Sequence, residues 1–145
     1  MTTRAEFVAT ARGYVGTPYH HQGRTPGVGM DCPAPLILAA REHGIVPSDF
    51  DVTGYSSEPD GVTLKRLCDE HLEPIEPSDV QAGDVLLCRF RGGHPRHLGI
   101  VTDTTPGRWY WIEAEGQRQR QVREHRVLLG VMRIAQAYRV PGLTP

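Results

Sequence analysis

The periodicity of this chain changes once, near residue 80, and that change limits what it can fold into. Before it, apolar residues recur at helical spacing. After it come short β-branched or aromatic runs bounded by turn residues: DVLLCRF from Asp84, HLGIVTD from His97, RWYWIEA from Arg108 and GVMRIAQAYRV from Gly130. A weaker strand is predicted in RQVREHRV, residues 120–127. Helices followed by consecutive strands, with no strand–helix alternation, predict an α+β fold with an antiparallel sheet.

Three helices are expected ahead of the sheet. The first runs from about Thr3 to Val15, where Thr3 and Glu6 fit a capping box and Phe7, Ala11, Tyr14 and Val15 share a face. A second is predicted from Cys32 to His43, closed by Gly44, and a third from Val62 to His71 with Leu64, Leu67 and Cys68 on its apolar side. GTPYHHQGRTPGVGM and IVPSDFDVTGYSSEPDG read as long loops between them. Neither half holds enough apolar sequence for a core of its own, so one domain spanning residues 1–145 is expected.

A net charge of −1 supplies no field to draw the protein to nucleic acid or anionic lipid, so neither partner is expected. MTTRAEFVATARGYV lacks the apolar stretch of a signal peptide, and no later run is long enough to insert in a membrane. The three cysteines, Cys32, Cys68 and Cys88, have no paired spacing, which predicts reduced thiols.

Cys32 sits where a helix is expected to begin, with Pro33 directly behind it. Helix N-terminal amides lack intrahelical partners and the helix dipole is positive there, so a cysteine at that end is expected to have a stabilised thiolate. Proline is tolerated at the first helical position, where its missing N–H is not needed. It also removes a possible oxyanion donor, leaving the Cys32 amide and a group from elsewhere. The plainer alternative makes Asp31 an N-cap and Cys32 a small buried hydrophobe.

A nucleophilic thiol needs an imidazole in reach and a polar group to orient that imidazole. His43, His71 and His125 lie in charged stretches and are expected on the solvated surface. His97 opens an apolar strand after the Gly/Pro-rich GGHPR segment, a place where a ring is held rigidly while facing a cleft, and His94 in the loop is the weaker candidate. Glu113 alternates with Trp109 and Trp111 on one strand face, so it must be paired or at a sheet edge. His97 and one of the many arginines are the two available partners. A zinc site from Cys32, His94, His97 and His20 or His21 has suitable residue types but no paired short spacing, and no metal or other cofactor is expected. GRTPGVGMD lacks the lysine and the strand–loop–helix setting of a nucleotide loop.

Four segments in this order, ARGYVGTPYHHQG, GMDCPAPLILAARE, VQAGDVLLC and HLGIVTD, resemble the NlpC/P60 family of papain-like cysteine peptidases. The likeness extends from about Ala11 to Glu113 and is greatest to stand-alone domains of phage tails and gene-transfer agents. It implies an antiparallel half-barrel packed against N-terminal helices, and cleavage of an amide bond in peptidoglycan stem peptides. By that resemblance Cys32 matches the nucleophile, His97 the general base and Glu113 the third polar residue. Tyr19 and Asp31 fall on the oxyanion and substrate-binding side. Other tail proteins become possible partners, and the host cytoplasm followed by the virion tail the expected location. Two positions depart from the family pattern: Pro33 stands where serine is usual, and Glu113 brings charge where a neutral group is common. With the exposed RQRQVREHR segment as a docking surface, these departures support an alternative, a tail-tip structural protein that kept the fold and lost catalysis.

Overall fold

The computed structural model describes residues 1–58 and 60–145. Helix α1, Arg4–Arg12, starts as its sequence dictates. Thr3 accepts a hydrogen bond from the Glu6 amide, and the Glu6 carboxylate accepts one from the Thr3 amide. That reciprocal cap satisfies two of the helix's unpaired donors. Strands β1, Arg24–Thr25, and β2, Gly29–Met30, form a small hairpin inside the loop predicted after α1.

Helix α2, Ala34–Glu42, begins later than its sequence suggests. Pro33, with φ −80° and ψ −12°, is the residue flanking the first turn, so Cys32 lies one position ahead of the helix rather than capping it. The Ala34 amide donates to the Asp31 carbonyl at 3.1 Å, so the chain already turns at Asp31–Pro33. At the other end His43 caps the helix and Gly44 takes φ +68°. Helix α3, Thr63–His71, follows a stretch, residues 45–61, with no helix or strand among its described residues; Pro59 in that predicted loop lies outside them. Among the described residues no helix is long and apolar enough to cross a membrane.

A six-stranded sheet occupies the second half. It comprises β3, Glu73–Ile75; β4, Val85–Phe90; β5, His97–Asp103; β6, Tyr110–Glu115; β7, Gln121–Arg126; and β8, Met132–Arg139. The spatial order is β3-β8-β4-β5-β6-β7 and every neighbouring pair is antiparallel. The α+β class and the antiparallel sheet expected from the sequence are therefore present. Strand β3, with proline at its centre, carries no apolar run; its pairing with β8 is what makes it a strand.

Alternation along the strands divides the core. Leu98, Ile100, Ile112, Ala114 and Val122 pack with Phe7, Ala11 and Ala34 from the helices. Leu86, Cys88, Val101 and Trp111 gather on the other side with Val127, Met132 and Ala137. Burying each large side chain of these groups contributes about 1.5–3 kcal/mol. Asp84 ties the layers together: its carboxylate, with no exposure, accepts from Arg4 at 2.9 Å and from Arg139 at 3.0 and 3.1 Å.

Candidate functional site

The loop between β2 and α2 is fixed from beneath by Asp31. Its carboxylate is 1% exposed, so it must be fully paired. It accepts hydrogen bonds from the Gln22 amide at 2.7 Å, from Arg24 at 2.7 Å and from the Tyr55 hydroxyl. Gln22 takes φ +58°, a left-handed conformation held by that bond. Arg24 in turn donates to Asp51 at 2.9 Å and to the Val52 carbonyl at 3.0 Å. Asp31 thus spends its oxygens on holding the loop that carries Cys32 against the 51–55 segment.

Cys32 is half-buried and faces a cavity of about 290 Å³. Tyr19, Asp31, His97 and Glu113 line the same cavity, so all five residues selected from the sequence converge there. Burial pushes the Cys32 thiol well above its ordinary value, and the negative charges of Asp31 and Glu113 push it further, with Arg24 opposing. This reverses the expectation that helix amides alone would favour the thiolate. Cys32 is ahead of the helix and beside carboxylates, so its proton needs a base to receive it.

His97 is the first residue of β5, positioned by pairing with Cys88 of β4. Phe90 stands edge-on to its ring, with centroids 4.8 Å apart. Nδ1 lies 3.8 Å from Glu113 Oε2, longer than a hydrogen bond. Nε2 is buried and has no hydrogen-bond partner among the described residues. A buried ring nitrogen without a partner is costly unless something else uses it.

Glu113 is 4% exposed on β6. Its Oε1 lies 3.0 Å from His125 Nε2. Burial alone would raise its carboxyl, yet hydrogen bonding and charge from His125 and His97 outweigh that and hold it below the ordinary value. Of the two partners open to Glu113, an imidazole or an arginine, the structure supplies two imidazoles. The expectation that His43, His71 and His125 are solvated holds only for His71. His43 is half-buried, with Nε2 2.7 Å from the Thr10 hydroxyl, and His125 is half-buried against Glu113. The β6–β7 register, which sets Trp111 beside His125 and Glu113 beside Arg123, brings that ring inward.

Tyr19 enters from the loop after α1, its amide donating to the Arg120 carbonyl at 2.8 Å. Its ring lies over Gly116, where a Cβ would come within 2.9 Å. Burial, then the neighbouring Cys32 and Asp31, push its hydroxyl up to about 12, so it remains a proton donor at neutral pH. Among the described residues no three His, Cys, Asp or Glu side chains converge as a metal ligand set. The arrangement suits a thiol nucleophile, an imidazole that moves its proton, and a hydroxyl that stabilises a developing oxyanion.

No family model and no curated protein matches the sequence. Solved structures do. The NlpC/p60 domain of the peptidoglycan hydrolase SagA is 23% identical over 94% of this chain and 98% of its own, with a TM-score of 0.64. An NLP/P60-family lipoprotein-like protein from Staphylococcus aureus is 18% identical with a TM-score of 0.57; the alignment covers 96% of this chain and 41% of that longer one. This chain has the fold of an NlpC/P60 domain.

Proposed function

We propose that the protein is a cysteine peptidase cleaving an amide bond in peptidoglycan stem peptides. The observation that carries this reading is that Cys32, His97 and Glu113 line one cavity, with His97 Nδ1 3.8 Å from Glu113 and its buried Nε2 without a hydrogen-bond partner among the described residues. Its fold neighbour SagA, a peptidoglycan hydrolase, supports the choice of substrate.

In this reading the His97 imidazole accepts the Cys32 proton as Sγ attacks the scissile carbonyl. Glu113 stabilises the imidazolium that forms. The Tyr19 hydroxyl and the Cys32 amide donate to the oxyanion, since Pro33 has no N–H to give. His97 then protonates the leaving amine, and the C–N bond breaks to leave a thioester on Cys32. A water deprotonated by His97 hydrolyses that thioester and restores the thiol. The resemblance of GTPYHHQG and GMDC to stand-alone phage-tail and gene-transfer-agent domains supports a role in such a particle, beside other tail proteins, where local opening of the wall would accompany DNA passage.

Purified muropeptides incubated with wild type and with Cys32→Ala test the proposal. New amino termini should appear with the wild type alone. Equal, negligible cleavage by both proteins would favour the alternative of a structural tail-tip component, for which Pro33 and Glu113 are the sequence grounds.

A further inference from the structure

Beyond the residues of that mechanism, a fourth side chain reaches the site from behind. Glu113 sits between two imidazoles on opposite neighbouring strands, but not symmetrically: His125 is at 3.0 Å and His97 at 3.8 Å. Only the first distance is a hydrogen bond. His125 itself is held by Trp111, whose ring centroid is 6.5 Å from its own and whose side chain is fully buried.

We infer that His125 is a positioning residue, which fixes the Glu113 carboxylate and keeps it ionised behind His97. The physical case rests on burial. A carboxylate this enclosed reverts to its neutral acid unless donors hold its charge, and a neutral acid gives no electrostatic support to an imidazolium. The close donor is on β7, not on the strand that carries the base. Charged or titratable groups face Glu113 from each neighbouring element: His97 on β5, Cys88 on β4, Cys32 ahead of α2, and His125 with the register partner Arg123 on β7. Among the described residues neither thiol is hydrogen-bonded to Glu113; the 3.0 Å bond comes from His125.

This inference rests on the proposed function for its meaning, yet its test needs no substrate. Following the Glu113 carboxyl carbon by NMR across an acid titration reads the group directly. His125→Phe keeps a ring against Trp111 and removes the donor, and it should raise the Glu113 midpoint by at least half a pH unit. His125→Gln retains an N–H donor and should return the midpoint towards wild type. An unchanged midpoint in His125→Phe, or equal shifts in both variants, overturns the inference. Should the phenylalanine variant not fold, the wild type decides: the His125 ring signals must follow the Glu113 titration, and their indifference to it overturns the inference equally. Failure of wall cleavage would count against the proposed function and leave this titration unaffected.

Discussion

Gly99 lies under the indole of Trp111: a Cβ at position 99 would come within 2.4 Å of Trp111 Cε3 and 3.0 Å of the Ile112 carbonyl. The glycine of HLGIVTD is thus required by packing. It lets a fully buried tryptophan lie across β5 two residues from His97 and on the same strand as Glu113. Gly99→Ala should cost about 1–3 kcal/mol, the usual penalty for overfilling a packed core. Thermal unfolding checks this, with the proton-transfer step slowed as β5 and β6 are pushed apart.

Asp31→Ala should be among the most damaging single changes near the site. It leaves the Arg24 guanidinium, itself 12% exposed, without its closest carboxylate. Breaking a buried pair by removing one partner costs about 3–5 kcal/mol. Denaturant unfolding measures the loss, and Cys32 alkylation kinetics should show the loop that carries Cys32 loosened.

Acid should weaken the protein through Glu113. Its carboxyl is held below the ordinary 4.5 by its two histidines, against the opposing effect of burial. A group depressed in the folded state contributes stability that is present above its unfolded value and lost as pH falls through the folded one. The Glu113 contribution is therefore complete at neutral pH, starts to fall near pH 4.5 and is lost as pH drops through the lower folded value. Glu113→Gln should flatten that acid-side loss in unfolding experiments run from pH 7 down to pH 3.

Thiol accessibility separates the three cysteines. Burial raises all three thiols, but Cys68 and Cys88 are buried while Cys32 is half-buried and lines the cavity, so access and not acidity separates them. Iodoacetamide at pH 7 should label Cys32 first, with the other two modified only on unfolding. His97→Ala should slow Cys32 labelling by about 10²-fold or more, the lower end of what a general base contributes. Peptide mapping by mass spectrometry reads both outcomes.

Legibility followed the range of the interactions. The α1 cap lies within four residues, so Thr3 and Glu6 announced it. The strand runs carried their own period, and HLGIVTD became β5 with the bounds its sequence suggests. Cys32, His97 and Glu113 were recognisable as chemical types and meet at one cavity. What stayed hidden depends on distant partners. His125 sits in VREHR, a stretch that reads as solvated until the β6–β7 register turns the ring to Glu113. Tyr55 lies in an unpatterned loop, and only the folded chain lays its hydroxyl on Asp31. The Cys32 thiol departs from the sequence expectation for a similar reason. The helix end is a local feature, whereas the burial and the carboxylates that outweigh it come from tertiary packing.

The most direct measurement is an acid quench of wild-type protein mixed with stem peptides, followed by mass analysis of the Cys32 peptide. A thioester-linked acyl fragment on Cys32, formed at the rate of amine release and absent in Cys32→Ala, is the predicted result. Amine release with Cys32 unmodified, or undiminished in Cys32→Ala, would contradict the account.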